Sequence, residues 1–173
     1  MIGCCQNRRA YHLAPLRACA YVPSALLKER PVKTDALSPQ DALVAVMIAT
    51  SAANDEMTTS EFREISSIVE LLPVFLEYDR DRIPNIGALV ADLFTEEDGL
   101  DALLGLVKAA LPAHLRETAY ALACDVAAAD GTVDMAELRM LQELRHELDV
   151  ERLIAASIER GSGARHKRLT PGA

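Results

Sequence analysis

The chain has 173 residues, half of them hydrophobic and a quarter charged, which suits one soluble domain with a sizeable core. Trp is absent, aromatics are scarce and Ala and Leu abound, a mix that favours close helix packing over sheets and points to an all-α fold. The net charge of −8 hides an asymmetry: residues 1–34 carry six Lys/Arg against one Glu, whereas residues 35–160 carry nine against twenty-five Asp/Glu, a net of −16 that disfavours nucleic acid and anionic lipid as partners of the body.

Residues 1–35 read as a disordered basic extension. They have no acid before Glu29, yet lack the Ser richness of a transit peptide and a clear secretory apolar stretch. Cys4, Cys5, Cys19 and Cys124 form neither a disulfide framework nor a C-x-x-C metal spacing. Cys124 is expected as a buried helix residue in a protein of the reducing cytoplasm. No apolar run approaches the ~18 residues of a membrane span.

The first helix is expected at Ser38-Pro39-Gln40-Asp41, with Ser38 as N-cap, Pro39 at N1 and Asp41 favouring the positive helix end. The following "ALVAVMIATSAA" is apolar nearly all round, so this helix should be central. Thr58-x-x-Glu61 has the spacing of a capping box and opens a second helix with apolar positions Phe62, Ile65, Ile68, Val69 and Leu72, stopped at Pro73. "PVFLEYDRD" predicts a short helix, "PNIGALVADLFT" a further one, and "EEDGLDALLGLVKAAL" a longer one whose acids suit a helix N-terminus. "AHLRETAYALACDVAAA" carries an apolar stripe through Leu115, Ala119, Leu122, Ala123 and Val126, and ends at Asp130-Gly131. Asp134 then caps a helix with Glu137 at N3 and Leu138, Leu141, Leu144 and Leu148 on its buried side. A last helix over Val150–Arg160 leaves 162–173 as a flexible basic tail.

Two halves match at an offset of 76 residues: Asn54 with Asp130, Thr58 with Asp134, Glu61 with Glu137, Phe62 with Leu138, Ile65 with Leu141 and Ile68 with Leu144. One helix–turn–helix unit therefore occurs twice, its copies expected to pack about a pseudo-twofold axis.

"ACDVAAADGTVDMAELRMLQEL", with its weaker copy "MIATSAANDEMTTSEFREISSIVELL", resembles the TerB-like, tellurite-resistance-associated family, and residues 36–161 form the TerB-like domain on this reading. "LPAHLRETAYALACDVAAADG" and "DVERLIAASIERG" look like the stand-alone bacterial members. The resemblance implies a bundle of about seven helices with an acidic surface near the paired hairpins that has been suspected of holding cations. It further implies a link to stress and tellurite resistance. Asn54-Asp55 stands where "DG" is expected in the first copy, a departure that bears on any matching second metal site.

Two readings of the acids stand side by side. As metal ligands, Asp130, Asp134 and Glu137, joined by Asp125 or by Asp55, Glu56 and Glu61, offer the oxygens that Ca²⁺ or Mg²⁺ requires. As helix-end residues, Asp130 and Gly131 close one helix while Asp134 and Glu137 cap the next, each cap worth about 1 kcal/mol. An EF-hand is excluded: with Asp130 at position 1, Met135 falls where the turn glycine belongs. No cofactor motif or catalytic signature is present, and Glu143-x-x-His146 stands alone where a di-iron bundle needs two such pairs. The expectation is a non-enzymatic module that binds a protein partner, a second copy of the chain included, with a cation-binding sensor as the alternative.

Overall fold

The N-terminus of α1 (Pro39–Ser51) is built by the expected residues: the Ser38 hydroxyl accepts from the Asp41 amide at 3.1 Å, and the Asp41 carboxylate accepts from the Ser38 amide at 3.2 Å. Every residue from Asp41 to Ser51 is buried. The cause is the all-round apolar sequence, which lets α1 serve as an axis packed against α2, α3, α4, α5 and α6. Fully enclosed side chains such as Leu43 and Met47 each contribute about 1.5–3 kcal/mol of apolar burial. This is a computed structural model, and it describes residues 37–54 and 58–169. The extension assigned to residues 1–35 and the end of the basic tail, 170–173, lie outside them.

The other helices are α2 (Thr59–Leu71), α3 (Ile83–Phe94), α4 (Gly99–Ala110), α5 (Arg116–Ala127), α6 (Met135–Glu147) and α7 (Arg152–Arg165). Seven α-helices and no strand occur among the described residues, as an all-α bundle requires. None is long and apolar enough to cross a membrane. The 76-residue offset holds at the helix ends: α2 and α6 both follow a capping N-cap residue, Thr58 and Asp134, and both run for 13 residues. Ile65, Ile68, Leu141 and Leu144 are buried, whereas Phe62 and Leu138 are 58% and 40% exposed and Leu72 is 37% exposed. The apolar stripes thus outrun the surfaces that cover them.

The predicted helix over "PVFLEYDRD" is instead two 3₁₀ turns, Pro73–Phe75 and Arg80–Arg82. Glu77 between them has φ 65°, a left-handed conformation that interrupts helical progress. Tertiary bonds fix the segment: Gln40 Nε2 donates to the Val74 carbonyl at 2.9 Å, and Phe75 packs edge-on to Tyr78 with ring centroids 5.8 Å apart. Between α3 and α4 the chain turns so tightly that a Cβ on Gly99 would lie 1.8 Å from the Leu93 carbonyl oxygen, so only glycine fits.

The last helix corrects the sequence expectation. α7 continues to Arg165 through Gly161-Ser162-Gly163, so the flexible tail does not begin at residue 162. Ser162 is 1% exposed and its hydroxyl donates to the Cys124 carbonyl on α5 at 2.9 Å. That buried bond, made where α7 packs on α5, offsets the roughly 1 kcal/mol by which each helical glycine falls short of alanine.

Candidate functional site

The two helix–turn–helix corners place the candidate acids. In the first, α1 gives way to a 3₁₀ turn, Ala52–Asn54, and Thr58 caps α2. The Thr58 hydroxyl accepts from the Glu61 amide at 3.2 Å, and Glu61 Oε2 accepts from the Thr58 amide at 2.6 Å. This reciprocal cap draws Glu61 inward until it is 2% exposed. Its other oxygen, Oε1, is buried with no hydrogen-bond partner. Asp55 and Glu56 lie outside the described residues.

In the second corner Gly131 takes φ 91°, the left-handed turn expected after α5. Asp130 folds back on its own loop, accepting from the Thr132 amide at 2.7 Å and the Thr132 hydroxyl at 3.0 Å. Asp134 Oδ1 accepts from the amides of Ala136 and Glu137 at 2.8 and 2.9 Å, and Glu137 Oε2 accepts from the Asp134 amide at 2.8 Å. Glu137 is 4% exposed, and burial pushes its carboxyl up to about 7 against the opposing hydrogen bond from the Asp134 backbone. The nearby negative charges of Asp134, Glu61 and Asp130 raise it further. The fold therefore brings Glu137 within electrostatic reach of acids from both corners.

Asp125 stands apart from this group. It lies on α5 and accepts from Arg165 of α7 at 2.5 Å. Among the described residues no three His, Cys, Asp or Glu side chains are gathered as tightly as a metal ion requires. The basic stretch after α7 also touches this region, since Arg168 donates to the Ala129 carbonyl at 3.0 Å and His166 lies 3.8 Å from Glu64 of α2.

A third buried acid has an environment that escaped the sequence reading. Asp41, 0% exposed, accepts from Tyr78 and from Arg82 Nε, each at 3.0 Å, and pairs again with Arg82 through its other oxygen. Burial opposes its ionisation, but the hydrogen bonds from Ser38, Arg82 and Tyr78 outweigh it and hold the carboxyl below its ordinary range. Asp41 was legible only as a helix-start acid, because its partners lie 37 and 41 residues away. Beside the corners, a cleft of about 320 Å³ is lined by Ala52, Glu96, Glu97, Ala136, Arg139 and Met140.

No curated protein and no solved structure matches the chain. A family model described as "Tellurite resistance protein TerB" matches residues 40–158, a span that includes both corners. With well over half of its length matched, and an all-helical fold around that stretch, the chain belongs to the TerB family.

Proposed function

We propose that this domain is a helical interaction module of a stress or tellurite and metal-resistance system, acting in the cytoplasm on a protein partner rather than as an enzyme. The observation that carries the reading is the surface around the N-terminal half of α6. Met135 and Leu138 are 80% and 40% exposed there, beside the cleft that bears Glu96 and Glu97. An apolar patch flanked by carboxylates suits a partner with apolar and basic side chains. The body's net charge of −16 over residues 35–160 favours the same kind of partner. The two matching corners are taken as copies related by a pseudo-twofold axis, and a second copy of the chain is one candidate for the exposed apolar patch at Met135 and Leu138.

The test is capture from native cytoplasm with wild type and with the charge reversal Glu96→Lys/Glu97→Lys, scored by affinity for whatever the wild type retains. A loss of roughly tenfold or more, with binding weakened by salt, is expected. Equal affinity of the two proteins removes the acidic surface from the reading, and self-association by sedimentation identifies the homodimer.

A second reading, a divalent-cation sensor, is favoured by one observation: Glu61 Oε1 is buried without a hydrogen-bond partner, in a corner electrostatically coupled to Glu137. Ca²⁺ or Mg²⁺ held there by Glu61 and Glu137, with Asp130, Asp134 or Asp55 contributing, would relieve that crowding. An ion at a hundred times its Kd stabilises the native state by about 2.7 kcal/mol. Melting of metal-stripped protein should therefore rise with one of these ions, and an unmoved melt at millimolar ion ends the sensor reading.

A further inference from the structure

A cavity of about 250 Å³ opens between α5, α6 and α7, and its lining divides into two parts. The walls include Ala127, Ala128, Leu138 and Leu141. The polar atoms deeper in are already engaged. The Ser162 hydroxyl donates to the Cys124 carbonyl, the Tyr120 hydroxyl donates to Glu159 Oε1 at 2.6 Å, and burial pushes the Cys124 thiol up to about 12, leaving it neutral. What remains for a ligand is a largely apolar interior whose lining carries the Gln142 amide and two charged groups, Arg145 of α6 and Glu159 of α7.

Those two groups have opposite charge, face one cavity and do not pair with each other. Among the described residues the Arg145 guanidinium makes no ion pair at all. The bond from Tyr120 fixes Glu159 through one oxygen and leaves the other as an acceptor. An anion alone would meet Arg145 but be opposed by Glu159, and a cation alone would meet the reverse. A zwitterion satisfies both, with its carboxylate on the guanidinium and its ammonium on the glutamate. The volume lies just below the ~300 Å³ at which sites for drug-sized ligands begin, so the molecule must be small. From these features we propose that this cavity binds a free α-amino acid with an aliphatic side chain, seated against the Ala and Leu walls.

The experiment is calorimetric and NMR titration of the full chain with L-leucine, with glycine, 4-methylpentanoate and 3-methylbutylamine as controls that each lack one recognised feature. Leucine should bind saturably, and each control should be weaker by roughly tenfold or more, the worth of one charged hydrogen bond or of the buried side chain. Arg145→Gln should weaken leucine while leaving the amine unchanged, and Glu159→Gln should weaken leucine while leaving the acid unchanged. Gly163 lines the cavity and a Cβ there meets no atom within 4 Å, so Gly163→Leu should fold and block binding. Absence of saturable leucine binding at millimolar concentration overturns the proposal. So does a control that binds as tightly as leucine, or a folded Gly163→Leu variant with undiminished affinity.

Discussion

Three helices in this domain begin with the same local device, and the N-terminus of α1 contrasts with those of α2 and α6. In each, an acid at N3 returns a hydrogen bond to the cap residue and is buried: Asp41, Glu61 and Glu137 are 0%, 2% and 4% exposed. At α1 the fold delivers Arg82 and Tyr78 to the carboxylate, and its charge is stabilised. At α6 burial itself resists the charge, and Asp134 and Asp130 of the same corner and Glu61 of the other add to that resistance. A capping motif sets where an acid sits, whereas tertiary packing sets whether its ionised form is welcome. A buried acid with an adverse environment is the commoner mark of a functional site.

The widest separation between the two ends should come from removing the α1 counter-charge. Arg82→Met leaves a buried carboxylate with only neutral donors and should destabilise by about 3 kcal/mol at neutral pH, at the low end for buried pairs because the arginine is half exposed. Urea unfolding reads this directly, and a loss under ~1 kcal/mol would make the pair no stronger than a surface one. Because the folded pKa of Asp41 is depressed, its stabilisation is present above the unfolded value near ~3.9 and is lost as pH falls through the folded value.

The α6 end should respond with the opposite sign. With Glu137 raised to about 7 against roughly 4.3 in the unfolded chain, the native state holds the proton more tightly, so stability falls as pH rises between those values. Glu137→Gln keeps the capping geometry and should be more stable than wild type at pH ~8 by about 2–3 kcal/mol, with the difference gone near pH ~4. If the variant and wild type keep parallel pH profiles in urea unfolding, neither burial nor the neighbouring acids hold the Glu137 carboxyl above its ordinary range.

The smallest effects should come from the caps themselves, where α2 and α6 ought to agree. Thr58→Ala and Asp134→Ala should each cost about 1 kcal/mol, and Asp134→Asn should be nearly neutral because the amide oxygen still accepts from the Ala136 and Glu137 amides. A loss with Asn as large as with Ala would mean that the charge of Asp134, rather than its acceptor, holds the corner.

Much of this was legible because it is local. The caps at Ser38, Thr58 and Asp134, the all-round apolar α1 and the 76-residue repeat are properties of short stretches and of their spacing. The family resemblance, carried mainly by the second corner, agrees with the match over residues 40–158. What escaped depends on distant partners: Asp41 with Tyr78 and Arg82, Glu137 with Glu61, and the cavity shared by Arg145 and Glu159. The Gly-Ser-Gly of α7 misled for the same reason, since propensity says stop while a bond to the Cys124 carbonyl says continue. Among the candidate acids, sequence spacing grouped Asp125 with the corner, yet its side chain is turned to Arg165.

The enclosure of α1 from Asp41 onward also makes that helix a clock. Its mid-helix amides, between Leu43 and Ala49, are hydrogen-bonded and sealed beneath five other helices, so no fraying end or loop movement exposes them. Their exchange with deuterated solvent can proceed only when the whole bundle opens, whereas the helix ends exchange through local excursions. Slowed exchange in α1 therefore measures how strongly any ligand or partner holds the entire domain shut, wherever on the surface it binds.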